Sequence, residues 1–420
     1  MFEIFDTMES QVRSYCRKFP ILFSHARNAE LYAETGEKYI DFFCGAGAMN
    51  YGHNNPDIKK AVLDYLSEDH IIHALDMYTV AKGNFLRTFQ EIVLAPRSLN
   101  YRVMFCGSTG TNAVEAALKL ARKNTKRTNV IAFHGAFHGM TIGSISCTGE
   151  KYARNGVGVP LANTTFVPYS HTLGSWDESI KYLRYLLADD HTGCEMPAAI
   201  ILETVQAEGG INVAEIGWLK AIREICDEYG TLLICDDIQV GNGRTGTFFS
   251  FERAGIVPDM VTLSKSISGF GMPMSLLLVK PEYDIFGPAE HNGTWRGNQL
   301  AFVGAKAGLE FYRDYNVDEM VRHKEAIIKD CLEKEILPLD SRLKIRGIGM
   351  IWGIDFSGID VALAKSALHE CVKRHLIIEL AGSFDCVLKI LPPLTIEDEL
   401  LAQGLEIVKG SVRTVLGQAC

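Results

Sequence analysis

Two adjacent carboxylates, Asp236 and Asp237, end the apolar run TLLICDD, and a glycine-rich turn, IQVGNGRTG, follows at once. A strand that ends on charge near a core must find a cation or hydrogen bonds to offset desolvation. Three further stretches place reactive residue types in a similar context. In FCGSTGTNAVEAALK an apolar run stops at Gly107 and a helical pattern opens at Gly110-Thr111. The free N–H groups and dipole of such a helix start suit a phosphate; a plain tight turn with a Thr cap is the other reading of the same residues. HGAFHGMT carries Phe137 and His138 in a glycine-rich loop. His134 and His138 have metal-pair spacing, but the glycines disfavour a helix and no third ligand stands near; stacking on a flat ring suits this loop better. In DMVTLSKSISG, Lys265 follows an apolar run directly. A lysine in a desolvated pocket loses ammonium stability and becomes a nucleophilic amine.

A stacking aromatic, a phosphate cup, a lysine and a strand-end aspartate together describe a pyridoxal phosphate site. Lys265 would bond the cofactor, and Asp236 would keep its pyridine nitrogen protonated so that the ring draws electrons. The cation facing Asp236 is then a pyridinium. A Mg²⁺ site at Asp236-Asp237 would need more carboxylates at workable spacing, and no metal is expected. A nicotinamide enzyme would need a GxGxxG fingerprint after its first strand, which is absent.

These residues need a scaffold that brings strand ends together. The runs 102–106, 129–133, 198–203, 231–237, 260–264 and 275–279 read as buried strands, separated by helical patterns. Ala113, Ala117, Leu118 and Ala121 fall on one face of the helix at 111–123, and Leu219, Ile222 and Cys226 on one face of GWLKAIREICDEYG. Alternation of this kind predicts an α/β fold with a mainly parallel sheet, whose ligands gather beyond the carboxyl ends of the strands. LYAETGEKYIDFF predicts a hairpin turning at Thr35-Gly36, and KIRGIGMIWGIDF and CVLKILPPLTI predict further strands after the texture changes near Gly304. The expected division is 1–50 as the N-terminal segment of a small domain, 51–305 as a large cofactor-binding domain, and 306–420 as the remainder of the small α+β domain.

The whole chain is consistent with this. Its 420 residues exceed one ordinary core, 47% are hydrophobic and 22% charged, and the net charge is −9. No basic run is dense enough to follow a nucleic acid backbone. No apolar run is long enough for a membrane span, and the acidic start MFEIFDTMES lacks the basic region of a signal peptide. Eleven scattered cysteines, from Cys16 to Cys420 and without a CxxC pair, fit reduced thiols in the cytoplasm.

The motif DDIQVGNGRTG, with LSKSISG and the aromatic-His pair, resembles the class III (ornithine/4-aminobutyrate type) aminotransferases of pyridoxal phosphate fold type I, over nearly the whole chain. That resemblance implies that Asp236 holds the pyridine nitrogen, Ile238 packs on the ring, and Gln239 bonds the phenolic oxygen. Lys265 matches the Schiff-base lysine, Gly110 and Thr111 the phosphate-binding pair, and Phe137-His138 the stacking aromatic with its histidine. Thr294 in HNGTWRGN matches a threonine that reaches the neighbouring subunit's phosphate, implying a homodimer or higher homo-oligomer. In ILETVQAEGG, Glu203 and Glu208 match two family glutamates, Glu208 being the gate over a carboxylate-binding cation. The family places Arg there; this chain has Lys389, in VLKILPPL. Lys offers a point charge where Arg offers a bidentate fork. Cys44, Ala48 and Asn242 are further departures. The resemblance implies transfer of an amine between amino acid and 2-oxo acid substrates; an ω-aminotransferase acting on ornithine, 4-aminobutyrate or another biosynthetic amine is the alternative. An aminomutase on the same fold would need no 2-oxo acid.

Overall fold

A computed structural model describes residues 2–417; Cys420 lies outside them. The central sheet has seven strands, in the spatial order Arg102–Gly107, Ser275–Val279, Met260–Leu263, Leu232–Asp236, Ala199–Leu202, Val130–Phe133 and Thr164–Val167. All adjacent pairs are parallel except those made by Ser275–Val279, which runs against both neighbours. The reversal follows from a short connection: the chain leaves Leu263, makes a tight turn at Lys265–Ser268 and returns at Ser275. A parallel return would need a crossover of a dozen or more residues.

The strands are apolar on both faces because helices cover both sides. The helix Gly110–Thr125 presents Ala113, Ala117 and Ala121, all fully buried, to a core that includes Val130, Ile201, Ile234 and Leu277. Alanine on that face brings the helix axis close to the sheet. The helix Ile216–Tyr229 buries Leu219, Ile222 and Cys226 on the other side and stops at Gly230, whose left-handed φ of 58° returns its N–H to Cys226 O. The edge strand Thr164–Val167 is not predicted by the apolar alternation. It is four residues long and mostly half-buried, so its polar threonines mask the signal.

Two four-stranded sheets stand apart from the central one. Phe23–Arg27, Glu30–Ala33 and Lys38–Asp41 form an antiparallel meander that turns at Gly36, and Leu376–Ile377 adds to its edge in parallel, pairing with Ile40 and Asp41. The two ends of the chain therefore share one sheet. Lys344–Ile348, Ile351–Asp355, Val387–Ile390 and Glu379–Ala381 form the other. The predicted strand at CVLKILPPLTI ends at Ile390, where two prolines remove ladder donors. None of the helices among the described residues is long and apolar enough to cross a membrane.

The C-terminal helix Asp398–Val415 seats Gly404 over the fully buried ring of Phe42. A Cβ at Gly404 would lie 2.3 Å from Phe42 Cζ. Gly404→Ala is therefore expected to destabilise the fold by about 1–3 kcal/mol, the usual range for overpacking. Urea unfolding checks this: the midpoint should fall with no change in slope.

Candidate active site

The carboxyl ends of four parallel strands, and the turns that leave them, converge on one cavity of about 150 Å³. Gly110 and Thr111 reach it from the strand at 102–107, and Phe137 and His138 from the strand at 130–133. Glu203 and Glu208 come from the strand at 199–202, and Asp236, Ile238 and Gln239 from the strand at 232–236. Lys265 arrives from the reversed turn. The backbone of Lys265 has φ 51°, a left-handed conformation that costs a non-glycine residue on the order of 1 kcal/mol or more. The turn is pinned by Ser266, whose Oγ donates to Gly47 O at 2.7 Å and accepts from Asn50 N–H at 3.0 Å. Burial pushes the Lys265 ammonium below its ordinary pKa; Glu208 works against that shift and Lys389 with it.

The adjacent carboxylates at the strand end diverge, as successive strand residues must. Asp237 turns into the core, where the N–H and hydroxyl of Ser250 donate to it, and burial pushes its pKa up to about 7. Asp236 faces the cavity. His138 Nδ1 donates to its Oδ2 at 2.7 Å, and Thr262 Oγ1 and the Ile238 N–H donate to its Oδ1 at 3.1 and 3.2 Å. Burial opposes charge on His138, but the hydrogen bond and charge of Asp236 outweigh it and raise the imidazole pKa. Glu203 accepts the Phe137 N–H at 3.0 Å, which fixes the aromatic loop, and burial pushes its carboxyl up to about 7.

Thr111 Oγ1 lies 2.7 Å from Thr141 Oγ1 and 2.6 Å from Ser144 Oγ, tying the start of the helix at 110–125 to the aromatic loop. The amides of Gly110 and Thr111 belong to the first turn of that helix and have no acceptor within it. Buried His138 Nε2 and Gln239 Oε1 also lack a protein partner. A Cβ on Gly110 would sit 2.7 Å from Ile238 Cδ1. An open helix start, a flat slot between Phe137 and Ile238, a strand-end carboxylate and a desolvated amine are the donor set that pyridoxal phosphate requires. The residues present fit that group.

At the far edge, Lys389 is fully buried. Its Nζ donates to Glu208 Oε1 at 2.7 Å and lies 2.8 Å from Glu379 Oε2. Burial alone would raise the Glu208 pKa, but Lys389 and then Lys265 overcome it and bring it down to about 2. Burial alone would lower the Lys389 pKa, but the two glutamates raise it above the ordinary lysine value. Gln239 Nε2 also donates to Glu208, at 3.1 Å. Thr294 is not part of this cavity: it is exposed and lines a separate depression with Gly107, Ser108 and Arg296. Glu379 is the participant that the motifs do not mark. One carboxylate inside the apolar run LIIEL is the signal that could have found it.

This sheet order, with a lysine beyond one strand end and an aspartate on the neighbouring strand, defines the pyridoxal-phosphate-binding transferase class. Comparison with known proteins narrows it. The family model for class-III aminotransferases matches residues 12–412, and the chain belongs to that family; pyridoxal phosphate is the cofactor that this implies. The chain is similar to diaminobutyrate–2-oxoglutarate transaminase of Halalkalibacterium halodurans, 49% identical over 416 residues, covering 98% of this chain and 96% of that protein. It is 50% identical to the protein of the same name from Wolinella succinogenes, again over 416 residues, with 98% and 96% covered. Among solved structures, ornithine aminotransferase from Toxoplasma gondii superposes with a TM-score of 0.86 at 25% identity, covering 99% of this chain and 95% of that one.

Gly110→Ala is expected to weaken pyridoxal phosphate binding by about tenfold or more, because the added methyl group drives Ile238 into the slot; each 1.4 kcal/mol of such strain is a factor of ten. Equilibrium dialysis of the apoprotein against the cofactor measures it, and unchanged affinity would remove the slot from the cofactor's path.

Proposed function

We propose that this chain is an ω-aminotransferase that moves the amino group of L-glutamate to L-aspartate 4-semialdehyde, giving L-2,4-diaminobutyrate and 2-oxoglutarate in an ectoine-type biosynthesis in the cytoplasm. The observation that carries this reading is the Glu208–Lys389 pair at the cavity edge, in a chain half identical, end to end, to transaminases of that name. Residues 1–50 and 306–420 form the small domain of this reading and 51–305 the cofactor domain.

Gly110 and Thr111 would hold the cofactor phosphate, Phe137 and Ile238 would flank its ring, Asp236 would pair with the ring nitrogen, and Gln239 with the phenolic oxygen. When bound, pyridoxal phosphate supplies a carbonyl that takes up the amine and a ring that withdraws electrons from the amine-bearing carbon. His138 fixes the Asp236 carboxylate so that it stays aimed at the cavity. Lys265, its ammonium destabilised by burial, would take the proton from the amine-bearing carbon and deliver it to the carbon that carries the cofactor's carbonyl. Glu208 covers Lys389 while an ω-amine is in place. When the donor is glutamate, Glu208 withdraws and the substrate's α-carboxylate takes its position on Lys389. One site thus serves two substrates in turn, which is ping-pong kinetics.

The test is a single-turnover absorption experiment on the cofactor-loaded protein. Diaminobutyrate should abolish the visible cofactor band and 2-oxoglutarate should restore it. Ornithine and 4-aminobutyrate should act more slowly, and Lys265→Ala should not respond. Faster bleaching by ornithine or 4-aminobutyrate would reassign the donor, and turnover without any 2-oxo acid would point to an aminomutase.

A homodimer or larger assembly belongs to the same proposal, with Thr294 reaching the neighbouring subunit's cofactor phosphate. An apolar band supports it: Ile71, Ile72, Leu75, Met77, Tyr78 and Trp295 are all exposed, Tyr78 completely. His73 and Trp295 stack edge to face at 5.0 Å, joining the two segments of the band. A patch of this kind marks an association surface. Sedimentation should give a dimer or larger species, and the double substitution Ile72→Asp with Tyr78→Asp should shift it to monomer with loss of transamination.

A further inference from the structure

The gate at the cavity edge has a second carboxylate. Glu379 and Lys389 are direct cross-strand partners in the sheet that contains Val387–Ile390, and both are buried. Separating them would require the two strands to slip register, which would turn every side chain of one strand to the wrong face. Glu208 is held differently. It comes from the loop after Ala199–Leu202, its side chain is 31% exposed, and it lines the cavity. Of the two carboxylates on Lys389, one is fixed by strand pairing and the other stands at the cavity on a turn.

From this geometry we infer that Glu379 is a specificity-determining residue, giving the substrate end of the cavity one carboxylate more than Lys389 can match and so selecting amines that carry a second cationic centre. The inference rests on the aminotransferase reading of the cavity. With Glu208 closed, two carboxylates face one ammonium, leaving a formal negative charge that an α-ammonium group can meet. A single cation paired with Glu208 alone would leave none. Beyond them, burial, then Glu208 and Asp385, push the Glu150 carboxyl upward, with Lys18 acting against them. With Glu208 open, an incoming α-carboxylate simply replaces it, and the charge around Lys389 is unchanged. Glu379 thus favours diamino acids in one half-reaction and weakens dicarboxylate binding in the other.

L-2,4-diaminobutyrate and 4-aminobutyrate share chain length, carboxylate and γ-amine and differ by the α-ammonium alone, so they isolate the effect. In the cofactor-loaded protein, Glu379→Gln should raise the KM for diaminobutyrate relative to the KM for 4-aminobutyrate about tenfold, the factor that 1.4 kcal/mol represents. Glu379→Asp should restore the preference. Glutarate, which cannot be transaminated, should bind Glu379→Gln more tightly than wild type in calorimetry, whichever amine the enzyme uses. An equal change in KM for both amines, or unchanged glutarate affinity, overturns the inference. Should Glu379→Gln fail to fold, Glu208→Gln removes the same charge from the movable side; an unaltered ratio of the two KM values there overturns it equally. Wild-type protein that turns over neither amine counts against the proposed function, and glutarate binding still decides the role of Glu379.

Discussion

Everything in the cavity depends on one carboxylate held in place at the end of a buried strand. Asp236 is 4% exposed, and a buried polar group needs hydrogen-bond partners. Three donors meet it: His138, Thr262 and the Ile238 backbone, each from a different segment. Thr262 is its register partner on the adjacent parallel strand, so the parallel sheet itself supplies part of the support. His138 comes from the loop that also carries Phe137, and that loop is tied through Thr141 and Ser144 to Thr111. Asp236, the loop that carries Phe137 and the helix start at Thr111 are thereby one hydrogen-bonded network.

The reversed strand Ser275–Val279 solves a second problem. A lysine that must act at an atom inside the cavity cannot sit on a long, mobile crossover. The antiparallel return confines Lys265 to a four-residue turn, braced from the N-terminal segment by Ser266 and Gly47. The left-handed backbone at Lys265 is the local cost of that placement. The same N-terminal segment supplies Ala46 O, which accepts from Gln239 Nε2 at 3.2 Å. The first fifty residues therefore bear on both the lysine turn and the residue beside Glu208.

Much of this was legible in the sequence because each contribution is local. An apolar run that stops at Gly107, Phe133, Leu202, Asp236 or Leu263 announces a strand end, and the residues that follow announce chemistry. Six of the seven central strands and the Thr35-Gly36 hairpin could be read in this way. Contacts between distant segments could not. Glu379 meets Lys389 only through strand pairing, and Asp237 looks like a second ligand until alternation turns it toward Ser250. Thr294 carries a motif but lies outside the cavity; spacing along a chain cannot show which depression a side chain lines.

The replacement of arginine by Lys389 is best understood from donor geometry. A guanidinium presents a planar fork that one carboxylate fills. An ammonium presents three donors around a point and can meet carboxylates from two directions at short range. Here the fully buried ammonium lies 2.7 Å from Glu208 and 2.8 Å from Glu379. A fully buried cation held by one movable partner alone would be left uncompensated whenever that partner withdrew, at a cost of several kcal/mol. Glu379 removes that penalty, so the gate can open without stranding a charge. The lysine and its second glutamate are on this view one unit, and neither can be understood from its own position.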